Sequence, residues 1–227
     1  MASEAWSLFV TGTDTGVGKT LVSAALLHAL ARHHGRVVGM KPVAAGLVMQ
    51  AGTLVSEDAA ALRAASTVIV PPELDNPVAL PEPLSPHLAA RRAGRHVGVA
   101  ELHAAHRALV RLADVVVVEG AGGWRVSLNA DEDLADFAVA IGAPVVLVVG
   151  LRLGCLNHAR LTAEAIRADG LKLGGWVANV IDPGMVCGAE NIATLQARLD
   201  APLLGVLPWR AAPDARLVEL ELPESWR

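Results

Sequence analysis

The sequence predicts an α/β protein with a mostly parallel sheet and helices on both of its faces. Three observations predict it. Short, valine-rich apolar runs alternate with helical patterns along the chain. A glycine-rich turn ending in Lys19-Thr20 joins the first such run to the first helix. Polar and glycine-rich clusters fall where strands are expected to end, at 12–20, 41–46, 119–123, 150–157 and 179–184. Those are the positions at which open α/β sheets bind ligands.

Residues 6–12 are expected to form the first strand, and about 19–33 the first helix. Arg36 to Val43 reads as a second strand that runs out in a loop around Lys41. Ser56 to Ala65 has the signs of a short helix, with Ser56 as cap and Glu57 and Asp58 in its first turn. Six prolines between Pro71 and Pro86 predict a loop or a chain of turns, long enough to be a functional segment. Helices are expected over 97–113, 133–141, 156–168 and 189–199. Strands are expected over 114–119, 143–149, 173–180 and 202–207, with a less regular tail from Pro208. No linker or internal repeat divides the 227 residues, so 1–227 is expected to be one domain.

Composition bounds the function. The hydrophobic fraction is 53% and the mean hydropathy +0.43. Both fit parallel strands buried on two faces. No run reaches the ~18 uninterrupted apolar residues of a spanning helix, so no membrane partner is expected. The formal net charge is −4 and no basic block occurs, which leaves nucleic acid no footprint. The few residues before Leu8 leave no room for a signal peptide, and Cys155 and Cys187 make no disulfide framework. The expected location is cytoplasmic.

The stretch Gly12-Thr13-Asp14-Thr15-Gly16-Val17-Gly18-Lys19-Thr20 reads as a phosphate-binding loop, and the fold as P-loop NTPase-like. Backbone N–H groups form a nest, the helix N-terminus adds partial positive charge, and Lys19 adds a full one. The spacing departs from the usual form: Thr13 stands where the first glycine is expected, and Gly12 lies one residue earlier. Glu119 follows four valines, and a carboxylate there must emerge at the sheet edge or meet a cation. Asp58 reads either as an ordinary first-turn acid or as a second metal ligand. Lys41 reads either as a solvated lysine or as a cation aimed at an anionic intermediate. His103 and His106 read as a surface pair, and packing accounts for Trp124, Trp176 and Trp209.

Together these stretches resemble one family. Gly-Thr-Asp-Thr-Gly-Val-Gly-Lys-Thr (12–20), Lys-Pro-Val-Ala-Ala-Gly (41–46), Ser-Pro-His (85–87), Val-Glu-Gly-Ala-Gly-Gly (118–123), Leu-Gly-Cys-Leu-Asn-His (153–158), Trp-Val-Ala-Asn (176–179) and Leu-Pro-Trp (207–209) are similar to the dethiobiotin synthetases. The resemblance implies ATP-dependent carboxylation and ring closure of 7,8-diaminononanoate with CO₂. The products would be dethiobiotin, ADP and phosphate. One amine forms a carbamate, ATP converts it to a carbamic-phosphoric mixed anhydride, and the other amine closes a cyclic urea. Phosphorylation turns a poor leaving group into a good one.

The resemblance also implies roles. Lys19 and Lys41 would be catalytic, steadying the carbamate and the transferring phosphoryl group. Thr13, Asp14, Thr15, Gly16, Val17, Gly18, Lys19 and Thr20 would wrap the phosphates of ATP, and Asn179 and Pro208 would meet its base. Thr20, Asp58 and Glu119 would hold Mg²⁺. Lys41, Ala45, Ser85 and Gly122 would meet the diamine. Its carboxylate would sit on Gly154, Cys155, Leu156 and Asn157 of a second subunit, which implies a homodimer with shared sites. Cys155 would act through its backbone. Some members carry an acid at the place of Gly16 and a serine at that of Ala45, which here can offer only backbone.

Two other readings meet obstacles. Partitioning and positioning ATPases of the ParA/MinD kind carry a signature lysine five residues before the loop lysine, where this chain has Asp14. Their basic membrane-binding tail is also missing, since Ala215 to Arg227 contains Glu219, Glu221 and Glu224. A cobyrinate-type amidoligase would need a glutaminase domain that this length does not accommodate.

Overall fold

The computed structural model describes residues 5–227. In chain order its elements are β1 (Trp6–Gly12), α1 (Lys19–Leu30), β2 (Val37–Met40), β3 (Val43–Ala45), β4 (Val48–Gln50), β5 (Thr53–Val55), α2 (Glu57–Ala65), α3 (Pro72–Asp75), β6 (Val78–Leu80), α4 (Pro86–Arg92), α5 (Val99–Val110), β7 (Val115–Glu119), α6 (Leu134–Ile141), β8 (Val145–Leu151), α7 (Cys155–Ala168), β9 (Leu173–Val180), α8 (Gly188–Arg198) and β10 (Leu203–Leu207). Two short 3₁₀ turns, Ala215–Leu217 and Glu224–Trp226, end the chain.

Six strands form one parallel sheet in the order β10-β9-β8-β1-β7-β2. The valine runs have a simple cause: alternate residues of each strand enter different cores. Val116, Val118, Val145, Leu147 and Val149 face a core closed by α5, α6 and α7. Val115, Val117, Val146 and Val148 face a core closed by α1, α2 and the C-terminal tail, where Leu222 and Trp226 are buried. Period-two burial on both faces removes any need for polar alternation. Among the described residues no helix is long and apolar enough to cross a membrane.

The structure corrects several expectations. The strand expected over 36–43 is broken at Lys41-Pro42, and β3 leaves the main sheet to pair in parallel with β6. The Pro71–Pro86 segment therefore holds a short helix and a strand, not only turns. The hairpin β4–β5 was not foreseen; its turn places Ala51 and Gly52 at φ 49° and 81°. Helix α1 stops at Leu30, and α5 is trimmed to Val99–Val110. Ser56 caps α2 as expected, accepting the Ala59 N–H at 3.2 Å. Trp124 and Trp176 are buried, whereas Trp209 is about half-exposed.

His106 is the clearest departure from a surface pair. It is buried, its Nε2 lies 2.8 Å from Ser7 Oγ, and its ring stacks on His103. Burial, and then the charge of His103, pull its pKa down to about 4. An unfolded chain binds that proton near pH 6.5. Between these values the unfolded state holds more protons, so stability falls as pH drops from about 6.5 toward 4. The loss from this group is capped near 3 kcal/mol. The unfolding midpoint of the wild type should fall more steeply over that range than that of His106→Gln. Equal acid dependence in both proteins would place the effect elsewhere.

Candidate functional site

Strand β1 ends at the C-terminal edge of the sheet between β8 and β7, and the loop 12–20 wraps over that edge. Its first half is tied to β8: Thr13 N–H donates to Val148 O at 3.0 Å, and Arg152 Nη2 pairs with Asp14 Oδ2 at 2.5 Å. Gly18 caps α1 in the left-handed region, at φ 92° and ψ 29°. That conformation is nearly free for glycine and strained for any other residue. A Cβ there would also lie 2.2 Å from Asn179 Nδ2. Asn179, buried at the end of β9, donates to Val17 O at 2.8 Å and so props the loop from behind.

A cavity of about 1000 Å³ opens in front of the loop. Two lysines reach it. Lys19, on the first turn of α1, donates from Nζ to Asp14 O at 3.0 Å and to Gly122 O at 2.6 Å. This bridges the loop to the glycine run after β7. Lys41, at the break that ends β2, lies 2.6 Å from Glu119 Oε1 and 2.8 Å from Asp58 Oδ2. Both lysines are buried.

Their electrostatics differ. Burial, and then the positive charge of Lys41, pull the Lys19 pKa down to about 8. Burial also works against the charge on Lys41, but Glu119 and Asp58 outweigh it and hold its pKa above the ordinary lysine value. The desolvation of Asp58 is likewise outweighed, chiefly by Lys41 and by hydrogen bonds from Lys41 and Thr20, so its pKa lies below the usual carboxylate range. Lys41 is therefore a permanent buried cation at neutral pH.

The Thr20 hydroxyl lies 2.8 Å from Asp58 Oδ1 and 2.9 Å from Glu119 Oε1, so three oxygen-bearing side chains from α1, α2 and β7 converge. Glu119 is wholly buried, and its Oε2 has no hydrogen-bond partner. A buried carboxylate oxygen with open valence is a place for a cation. Among the described residues no group of three or more His, Cys, Asp or Glu side chains is placed to hold a metal ion. Two carboxylates and one hydroxyl suit a magnesium ion that draws its other ligands from phosphate and water.

The structure brings most of the anticipated residues together. Thr15, Gly16, Gly18, Lys19, Thr20, Lys41, Ala45, Asp58, Ser85, Glu119 and Gly122 all line the cavity. Thr13, Asp14 and Val17 belong to the loop but serve its frame: Val17 is buried, and the contacts of Thr13 and Asp14 run to β8 and the residue after it. Pro208 lies on a separate cavity of about 210 Å³, beside Leu21 and Leu207. Gly154, Cys155, Leu156 and Asn157 do not line the chain's own cavity. They form the start of the 14-residue helix α7, whose early N–H groups have no intrahelical acceptor.

Three polar lining residues had no assigned role: His87, Arg125 and Ser127. His87 was visible in the Ser-Pro-His stretch, and Arg125 as a basic residue just beyond the glycine run. Both follow positions where strands give way to loops, and that was the available signal.

A family model described as an AAA domain matches residues 7–215. The chain is 56% identical over 209 residues to a protein of Ralstonia nicotianae named ATP-dependent dethiobiotin synthetase BioD, covering 92% of this chain and 91% of that one. It is 52% identical over 220 residues to the protein of the same name from Aromatoleum aromaticum, covering 96% of each. Among solved structures, a ParA family ATPase of Chlorobium tepidum is similar with a TM-score of 0.56 at 14% identity, over 92% of this chain and 86% of that one. The signal recognition particle receptor FtsY of Elizabethkingia anophelis is similar with a TM-score of 0.53 at 18% identity. That match spans all of this chain and 63% of the receptor. At such identities the structural likeness concerns the fold.

Proposed function

The chain belongs to the dethiobiotin synthetase family, and from that premise we propose how its residues make dethiobiotin at the expense of ATP. The observation that carries the reading is the meeting of two buried lysines, Lys19 and Lys41, in one cavity with room for a nucleotide and a second substrate. The partitioning ATPases share the fold at low identity. They give no reason to prefer their function over one supported at more than half identity along nearly the whole chain.

ATP places its phosphates in the loop 13–20, against the backbone N–H groups and Lys19. Its base lies toward Asn179 and the cavity at Pro208. The 7,8-diaminononanoate lies across the cavity, between Ala45 and Ser85 on one side and Gly122 on the other. One amine takes up CO₂ as a carbamate, whose negative charge rests near Lys41 and Lys19. The carbamate oxygen attacks the γ-phosphorus, ADP leaves, and charge spreads over the transferring phosphoryl group between the two lysines. The second amine then attacks the carbamoyl carbon, and phosphate departs as the urea ring closes. Thr20, Asp58 and Glu119 would hold Mg²⁺, which when bound neutralises phosphate charge.

The substrate carboxylate meets the N-terminus of α7 from a second copy of the chain. Leu153 just before that terminus and Leu161 nearly two turns along α7 expose 94% and 56% of their surface, which supports an apolar contact between copies there. The working unit is then a homodimer.

The test is a turnover assay with Mg-ATP and bicarbonate, with and without the diamine, following ADP and dethiobiotin. ADP release should require the diamine, and chelation of magnesium should stop it. ATP turnover that ignores the diamine sinks the assignment. Mixing Lys19→Ala chains with chains altered at Asn157 probes sharing: mixed dimers should regain activity, and inert mixed dimers would speak against shared sites.

A further inference from the structure

We propose that Asn76 is a positioning residue for Lys41: it holds the backbone from which that lysine reaches the transferring phosphoryl group. This role rests on the one given to Lys41 above, and it gives the proline-rich segment a task in the reaction.

The main-chain groups of Lys41 stand outside the main sheet. The ladder between β2 and β7 ends at Met40, opposite Val118. β2 is the edge strand, so no further strand of that sheet covers its outer side. Pro42 follows, and its nitrogen carries no hydrogen. Lys41 is nonetheless buried, so its own N–H and C=O must find partners there. Two adjacent residues of the proline-rich segment supply them. The Lys41 N–H donates to Asp75 O at 2.7 Å. Asn76, 35 residues on, donates from Nδ2 to Lys41 O at 2.7 Å and to Val78 O at 3.2 Å. Both acceptors are carbonyl oxygens, which only the NH₂ end of the amide can meet. Among the described residues Asn76 is the only side chain bonded to the Lys41 backbone.

The brace closes back on the site. Asp75 is buried and accepts Arg63 through both carboxylate oxygens, at 2.7 Å from Nε and 2.5 Å from Nη2. Arg63 lies on α2, the helix whose first turn carries Asp58, and Asp58 Oδ2 lies 2.8 Å from Lys41 Nζ. Lys41 is thus held at both ends: its backbone by Asp75 and Asn76, its ammonium by Asp58 and Glu119. A lysine stem is flexible, so the place of its ammonium depends on where its root is fixed. Removing the Asn76 amide frees the root and leaves every charge of the site in place.

The experiment measures kcat for dethiobiotin formation per chain that binds a fluorescent ATP analogue, so misfolded chains drop out of the count. In Asn76→Ala that kcat should fall about 10- to 100-fold, with the KM for ATP within about threefold of wild type. Asn76→Asp, compared at about pH 8 where a carboxylate is ionised, keeps the shape but turns an acceptor toward the Lys41 carbonyl. It should lose at least as much. The decisive reading is Asn76→Ala in a Lys41→Met background, with product collected at long end points. There it should cost less than about threefold, because the group it positions is already gone. An equal loss in both backgrounds marks a merely structural Asn76 and overturns the inference. So does an Asn76→Asp variant as active as wild type, and so does full turnover per binding chain in Asn76→Ala. A wild type inert toward the diamine overturns the proposed function itself, a result distinct from these.

Discussion

Lys41→Met should lower kcat by about a thousandfold or more, the loss expected when a fixed charge aimed at a phosphoryl-transfer transition state is removed from a dry site. The variant should also be less stable, for a reason separate from catalysis. Glu119 is 0% exposed, and Lys41 is its salt-bridge partner, at 2.6 Å. Removing one partner of a buried pair strands the other, at a cost of about 3–5 kcal/mol. The two effects can be pulled apart. Lys41→Met/Glu119→Gln no longer carries the stranded charge, so its unfolding midpoint should recover toward that of the wild type. Its turnover should stay lost. Recovery of both together would mean that Lys41 acts only by keeping the site folded. Full turnover in Lys41→Met would remove it from the mechanism altogether.

The same residue shows what the sequence could and could not reveal. Lys41, Asp58, Glu119 and Thr20 come from four separate stretches, and each was noticeable because a charged or hydroxyl side chain stood at a strand end or in a helix's first turn. Their convergence follows from the parallel sheet, which gathers such ends at one edge. The strands were legible because burial on two faces leaves uninterrupted valines. The break at Lys41-Pro42 was not, since β3 takes its partner from β6, more than thirty residues away, inside a proline-rich segment that reads locally as turns. The β4–β5 turn lacks the Asn-Gly or Asp-Gly that announces a hairpin. His106 looks like half of a surface pair until Ser7, 99 residues away, is seen against it. Arg125 was silent for a similar reason, since the acid it pairs with, Asp169, lies 44 residues away.

Gly18→Ala should all but abolish nucleotide binding, and the loop geometry says why. At φ 92° the backbone is left-handed, which costs a non-glycine residue roughly 1–2 kcal/mol. The new Cβ would also fall 2.2 Å from Asn179 Nδ2, well inside contact. Asn179 cannot swing away without releasing Val17 O, which it holds at 2.8 Å. The substitution thus forces either the loop off its nest geometry or its prop out of place. Gly16 provides the control. It too has a positive φ, 74°, but a Cβ there meets nothing within 4 Å. Gly16→Ala should therefore show the conformational cost alone, about tenfold or less in affinity for ATP. Gly18→Ala should lose on the order of a hundredfold or more. Asn179→Ala alone loses the loop's prop and the group beside the base, so it sets the reference for the double variant. Gly18→Ala should cost less affinity in that background than in the wild type only if the collision is real. Titration of a fluorescent ATP analogue against the five proteins reads all these terms. Equal losses at Gly16 and Gly18 would show that the loop yields freely to Asn179, and that its shape comes from φ alone.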